Sequence, residues 1–326
     1  MVFDLTDKLV WVAGQHGMVG GAMMRQLQRE PCQLLLDPGR RTVDFRRQFH
    51  VEEWMASHRP RVVFLTAGRV GGIHANDTFP ADFLYDNLLI EANIIHAAYR
   101  TGVEKLLFFG SSCIYPREAP QPIREEALLT GPLERTNEAY AIAKIAGIRL
   151  CQAYRSQHGC DFISAMPANL YGPGDNFHIE NSHVPAALLR RFHEAKLADA
   201  PEVVVWGSGT PRREFLYVDD LADASVHLLR HYSGDSHVNV GAGYDVTVAE
   251  FAEHMKRCVG FAGRIVYDRS RPDGAPRKLL DCGRLHALGW SAMTSLEEGL
   301  RLYYDWFLSN QGRLRETVFE NVALPG

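Results

Sequence analysis

Short apolar runs alternate with longer stretches whose apolar residues recur at helical spacing, and this alternation fills the first half of the chain. Lys8-Leu-Val-Trp-Val-Ala13 is a β-branched run that ends at Gly14, and a helical stretch follows to about Arg29. Gln33–Leu36, Arg61–Ala67, Lys105–Phe109 and Asp161–Met166 read as further strands. A long helix is predicted from about Pro80 to Arg100, with Leu84, Leu88, Ile95 and Ala98 at compatible spacing. A second lies around Tyr140, where Ala141, Ile145 and Ile148 fall at i, i+4 and i+7. Strand and helix in strict alternation imply right-handed βαβ units. The predicted fold class is α/β, a Rossmann-type doubly wound parallel sheet.

After Pro173 the pattern loosens. Asn181-Ser-His183-Val leads into a helix through Arg190 and Arg191, Glu202–Trp206 reads as a strand, and Gly207–Phe215 as a turn into another. A helix at Leu221–His231 and a strand at His237–Val240 are expected to return to the main sheet. Beyond about residue 247 come a helix, a strand at Arg264–Tyr267 and an amphipathic helix near Ser295–Leu308. The expected division is a dinucleotide domain over 1–172 with a returning segment at about 214–242. A smaller C-terminal α/β substrate lobe takes 173–213 and 243–326.

Composition narrows the function. A length of 326 residues and a hydrophobic fraction of 46% suit a globular protein with a large core, and a net charge of −4 gives no reason to expect nucleic acid. No apolar stretch reaches the ~18 residues that span a bilayer, so no membrane partner is expected. Asp4 and Asp7 precede any apolar run, which argues against a signal peptide. The six cysteines (32, 113, 151, 160, 258 and 282) have neither CxxC pairing nor metal spacing. They read as free thiols of a reducing, cytoplasmic compartment, with no metal site.

The candidate chemistry collects at strand ends. Gly14-Gln15-His16-Gly17-Met18-Val19-Gly20 joins a strand to a helix at the spacing of a dinucleotide turn, where glycines allow a sharp bend and close approach of a pyrophosphate. At the end of the second strand Asp37 favours a free ribose, as in NAD, while Arg40 and Arg41 favour the 2′-phosphate of NADP. Tyr140 and Lys144 are four residues apart and share a helix face. An ammonium beside a phenol lowers its pKa, by roughly 1–3 units, and makes the pair a proton donor for a carbonyl under reduction. Gly14, Gly68, Ser111 and Asn169 all fall at strand ends, where ligands bind in such folds.

These features together resemble the extended short-chain dehydrogenase/reductases. Longer strings resemble their GDP-L-fucose synthase family: Gly17-Met-Val-Gly20, Val70-Gly-Gly-Ile73, Gly110-Ser-Ser-Cys-Ile-Tyr-Pro116, Asn137–Gly147, Asn169-Leu-Tyr-Gly172, Asn181-Ser-His183-Val, Trp206–Phe215 and Asp273–Asp281. The resemblance implies 3,5-epimerisation and then C4 reduction of GDP-4-keto-6-deoxy-D-mannose. It gives Ser111 the C4 keto oxygen, Tyr140 the proton, Lys144 the nicotinamide ribose, and Cys113 with His183 the epimerising acid–base pair. It adds Pro167, Ala168, Asn169, Leu170 and His183 to the coenzyme positions, and Trp206, Asp273 and Lys278 to the substrate positions. Arg191 and Arg213 suit the diphosphate, because guanidinium matches phosphate geometry. Gln15-His16 stands where the family has His-Arg, and Asp37 where it tends to carry Arg, so NADP(H) is the expected coenzyme with NAD(H) open. The superfamily's habit implies a homodimer through the helices at about 80–100 and 137–158. A sister enzyme of GDP-L-colitose synthesis is the nearest alternative. A non-catalytic dinucleotide sensor is another, disfavoured because all five reactive residues are retained.

Overall fold

The structure is a computed structural model that describes residues 2–39, 42–179, 181–271 and 273–319. Along the chain, β1 (Leu9–Ala13), α1 (Met18–Leu27), β2 (Gln33–Leu35), α2 (Gln48–His58) and β3 (Val62–Leu65) are followed by α3 (Ile73–Thr78) and α4 (Pro80–Thr101). Then come β4 (Lys105–Phe109), α5 (Glu138–His158), β5 (Asp161–Pro167) and β6 (Asn169–Tyr171). The second part holds α6 (Val184–Leu197), β7 (Glu202–Trp206), β8 (Arg212–Arg213), β9 (Phe215–Tyr217), α7 (Val218–His231) and β10 (Val238–Val240). It ends with β11 (Val246–Thr247), α8 (Val248–Val259), β12 (Arg264–Asp268), β13 (Arg277–Lys278), α9 (Gly283–Ala287) and α10 (Leu296–Asn310).

Six parallel strands form the main sheet in the order β10-β5-β4-β3-β1-β2. Strands β1, β3 and β4 are buried along nearly their whole length and read as continuous apolar runs, the mark of a sheet covered on both faces. Helices α2, α4 and α5 pack as one layer, and α1 packs with α7 in another. Progression along the sheet reverses between β1 and β3, the switch point at which such folds bind ligands. The helix at 48–58 escapes a reading by periodicity. Val51, Trp54 and Met55 form a buried stripe, but Phe49 beside it is 69% exposed and blurs the pattern.

A second core, built on Phe177, Phe192, Phe251, Tyr303 and Phe307, belongs to the smaller lobe. There β7 pairs with β12, and β8 lies between β11 and β13. Segment 215–240 leaves this lobe, pairs β9 with β6 and adds β10 to the main sheet beside β5. No described helix is long and apolar enough to cross a membrane, and the cysteines form no disulfide.

Gly14 and Gly20 make the first turn possible. Gly14 has φ of +99°, a conformation that side chains rarely adopt, and a Cβ on Gly20 would lie 2.0 Å from the Gly14 carbonyl oxygen. Gly20→Ala is therefore expected to cost about 1–3 kcal/mol through overpacking against backbone. A lower midpoint in urea unfolding checks this.

Candidate active site

The turn between β1 and α1 presents Gln15, Gly17, Met18 and Val19 half-buried, with His16 exposed at its tip. Asp37, at the end of β2, points away from the surface. Its Oδ2 accepts a hydrogen bond from the Trp11 indole (3.2 Å), and its Oδ1 accepts the Gly39 amide (2.9 Å). Only 7% of the residue is exposed. Gln15 donates to the Asp37 carbonyl at 3.0 Å and fastens the turn to this strand end. Arg40 and Arg41 lie outside the described residues. On the other side of β1, Pro167 and Ala168 are buried, and Asn169 donates to the Glu214 carbonyl at 2.9 Å.

Strand β4 runs into Ser111, whose hydroxyl caps a short 3-10 turn by accepting the Cys113 amide at 3.3 Å. The same hydroxyl hydrogen-bonds Tyr140. Tyr140, from the first turn of α5, packs with Ala75 and Phe83, and Cys113 and Phe319 lie against that cluster. The Cys113 sulfur receives the Asn137 side-chain amide at 3.1 Å, and Lys278 of the smaller lobe reaches to 4.0 Å from it. Ser111, Cys113, Tyr140 and Lys278 thus meet at one point between the lobes.

Lys144 lies one helical turn after Tyr140, its ammonium 5.8 Å from the centre of the phenol ring. Its closest partners are elsewhere. It donates to the Phe109 carbonyl at 3.1 Å and pairs with Glu91 of α4 at 2.9 Å, both side chains being almost fully buried. The expected lowering of the Tyr140 pKa is consequently absent. Burial, then Cys113, then Glu91 push it above its ordinary value, against the Ser111 hydrogen bond. Tyr140 and Lys144 fall one helical turn apart as their spacing predicts, but the anion that offsets the lysine is Glu91 of α4, which leaves no trace in the motif.

His183 is the N-cap of α6. The surrounding protein disfavours its charged form and lowers its pKa. Its loop is tied to the other lobe by the Gly72 amide, which donates to the Asn181 carbonyl at 3.1 Å just ahead of α3. Trp206 is 42% exposed, and two guanidinium groups lie over its ring, Arg191 at 4.4 Å and Arg271 at 4.7 Å. Arg213 pairs in register with Lys278 and donates to the Asp273 carbonyl at 3.3 Å. The Asp273 carboxylate is occupied in its own lobe, accepting from the Ser208 amide and hydroxyl at 2.7 Å each. Among the described residues no group of three or more His, Cys, Asp or Glu could hold a metal.

Residues 10–241 match the model of the NAD dependent epimerase/dehydratase family. The chain belongs to that family. Within it, the chain is 58% identical to GDP-L-fucose synthase 1 of Arabidopsis thaliana over 311 residues, 95% of this chain and 96% of the relative. GDP-L-colitose synthase of Yersinia pseudotuberculosis is 35% identical over 93% of this chain and 98% of its own. The GDP-L-fucose synthetase of Naegleria fowleri, solved bound to NADP, superposes with a TM-score of 0.88 at 27% identity, covering 97% of this chain and 98% of that one.

Three residues at this site have no signal in the motifs: Glu91, Arg271 and Phe319 touch Lys144, Trp206 and the Tyr140 cluster respectively. A fourth, Asn137, donates to the Cys113 sulfur and stands within a recognised string. Phe319 arrives on a C-terminal segment whose Thr317 amide donates to Asn176 at 2.8 Å, and its ring rests 5.4 Å from Phe83. Trp11→Phe removes one of the two donors to the buried Asp37 carboxylate. It is expected to lower stability by about 1.5–3 kcal/mol, the range for hydrogen bonds to charged groups, read from urea unfolding.

Proposed function

We propose that this chain converts GDP-4-keto-6-deoxy-D-mannose to GDP-L-fucose, by epimerisation at C3 and C5 followed by NADPH-dependent reduction at C4. The observation that carries this reading is Cys113 in contact with the Ser111–Tyr140 pair, its sulfur faced by Asn137 and Lys278. A simple ketoreductase needs the serine, tyrosine and lysine alone. The thiol, with two donors able to solvate its anion, adds a group that exchanges protons with carbon. Identity of 58% to a fucose synthase against 35% to a colitose synthase favours fucose as the product.

Ser111 and Tyr140 donate hydrogen bonds to the C4 carbonyl, which acidifies the neighbouring C–H bonds and stabilises the enolate. His183, kept neutral by its surroundings, accepts a proton from one side of the sugar while the Cys113 thiol returns one from the other, and the imidazolium and thiolate left behind exchange protons with solvent before the second centre is inverted. After both centres are inverted, Tyr140 passes its proton to the C4 oxygen, and Lys144 holds the nicotinamide ribose. Bound NADPH supplies the hydride that C4 receives. Gly14–Gly20 and Pro167–Leu170 are the residues to hold that coenzyme, since the glycines leave room at the N-terminus of α1. Asp37 is turned inward and occupied, and so is withdrawn from selecting an unphosphorylated ribose, which favours NADP(H) over NAD(H). For the GDP moiety, Trp206 with Arg191 offers a stacking face beside a cation, and Arg213 and Lys278 add positive charge toward Cys113.

A homodimer through α4 and α5 is part of the same reading. These helices expose Tyr85 (64%) and Ile142 (43%), large apolar side chains that a partner would cover. The unpaired thiols suit a cytoplasmic enzyme.

Given the keto sugar and NADPH, the protein is expected to consume reduced nicotinamide and release GDP-L-fucose. Cys113→Ser should reduce fucose formation by about 10²–10⁴-fold, the usual worth of a general acid–base group, with coenzyme affinity unchanged. Fucose formed by that variant at the normal rate would remove Cys113 from the mechanism.

A further inference from the structure

The ion pair behind the catalytic helix has no role in the steps above. Glu91 lies in the middle of α4, 1% exposed, where α4 packs on α5. Its Oε1 is 2.9 Å from the Lys144 ammonium. Neither carboxylate oxygen has a hydrogen bond that satisfies normal geometry among the described residues, so the lysine is its one close polar neighbour. The seam is tight. A Cβ on Gly147 would come within 2.7 Å of Glu91 Oε2 and 2.5 Å of the Phe108 ring. A buried carboxylate with so little to satisfy it is costly to keep, and a glutamine, leucine or methionine would fill the same volume without the charge.

We propose that Glu91 is a positioning residue for the reduction: it holds Lys144 against β4 and balances its charge, so that Tyr140 meets the sugar with its proton in place. This rests on Tyr140 being the proton donor. A lone ammonium one turn away would draw the phenol toward its anion, which suits a base that starts an oxidation. A reductase needs the opposite starting state, the protonated phenol. The anion at Lys144 supplies it.

The charged and titratable groups that face Tyr140 are few. They are Cys113 after the turn from β4, Lys144 on its own helix and Glu91 across the α4–α5 seam, with Ser111 as hydrogen-bond partner. Arg69 lies 5.6 Å from the Phe83 ring, which itself packs on Tyr140. Glu91 in turn faces Lys144 and, more weakly, Cys151 of α5. Burial pushes the Glu91 carboxyl up to about 7 against the pull of Lys144. Against that cost, the 2.9 Å contact with Lys144 favours the charged pair.

The test is Glu91→Gln, an isosteric change that leaves Lys144 unbalanced. Two readouts are taken: the pH dependence of reduction, and the tyrosinate absorbance of the apoprotein, with Tyr140 isolated by subtracting the same variant carrying Tyr140→Phe. Both should move the Tyr140 ionisation at least one pH unit toward acid relative to the wild type, with reduction failing at correspondingly lower pH. A Gln variant whose rate falls by the same factor at every pH, with the tyrosinate signal unmoved, would overturn the proposal and leave Glu91 a packing residue. Should Glu91→Gln not fold, Glu91→Asp, which draws the carboxylate back by one methylene, carries the test. Its profile should also shift toward acid, and a profile superposing on the wild type would overturn the proposal. Tyr140→Phe separates this inference from the one beneath it. If that variant still reduces the sugar, the donor assignment itself fails. If it is inactive and the Glu91 profiles are unmoved, only the role of Glu91 falls.

Discussion

The phenol of Tyr140, which surrenders a proton in the proposed reaction, stands almost wholly out of water, 8% exposed, between Ser111 and the ring of Phe83. Burial alone makes its anion expensive, so every polar group nearby bears on whether the reaction can run. The main sheet provides the setting. Strand β4 ends where Ser111 can reach Tyr140 and place Cys113 beside it. The α4–α5 seam carries the Glu91–Lys144 pair behind the same ring. The smaller lobe contributes Lys278 to the sulfur and His183 to the loop that docks on Gly72. In the proposed reaction the chemistry has two faces, with proton exchange at carbon on either side of the sugar and hydride addition next to the glycine turn, and both lobes supply groups to it.

Charge balance distinguishes the two halves of the site. Where the proposed nucleotide would bind, Arg191 and Arg271 both lie over the Trp206 ring, and burial together with the charge of Arg271 lowers the pKa of Arg191. Cations crowded in this way favour an anion between or beside them. At the reducing centre the lysine is neutralised by a buried carboxylate instead. At the adenosine end a carboxylate that would favour an unphosphorylated ribose is held inward by Trp11 and Gly39. Each arrangement is electrostatic, and each is set by a partner distant in sequence.

That distance decides what a sequence could reveal. The glycine turn, the apolar strands and the Tyr140–Lys144 spacing are local patterns, written within a few residues of one another, and the family strings extended them to Cys113, His183 and Lys278. The turn's Asp37 was legible as an acid at a strand end, but not its direction, which depends on an indole 26 residues away. Glu91 sits among ordinary helix residues, and nothing in Leu-Ile-Glu-Ala marks it as the partner of a lysine on α5. The 48–58 helix escapes the periodic pattern because an exposed Phe49 breaks its stripe, and Phe319 escapes it because its contacts are made by a C-terminal segment that crosses between lobes.

The central claim is that one chamber both epimerises a keto sugar and reduces it. The most direct measurement is the reaction run in heavy water with unlabelled NADPH, with the hydrogen positions of the product read by NMR. Deuterium at C3 and C5 with protium at C4 is the expected outcome, since the first two positions pass through Cys113 and His183 and the third receives hydride. Retained protium at C3 and C5, or deuterium at C4, would contradict it.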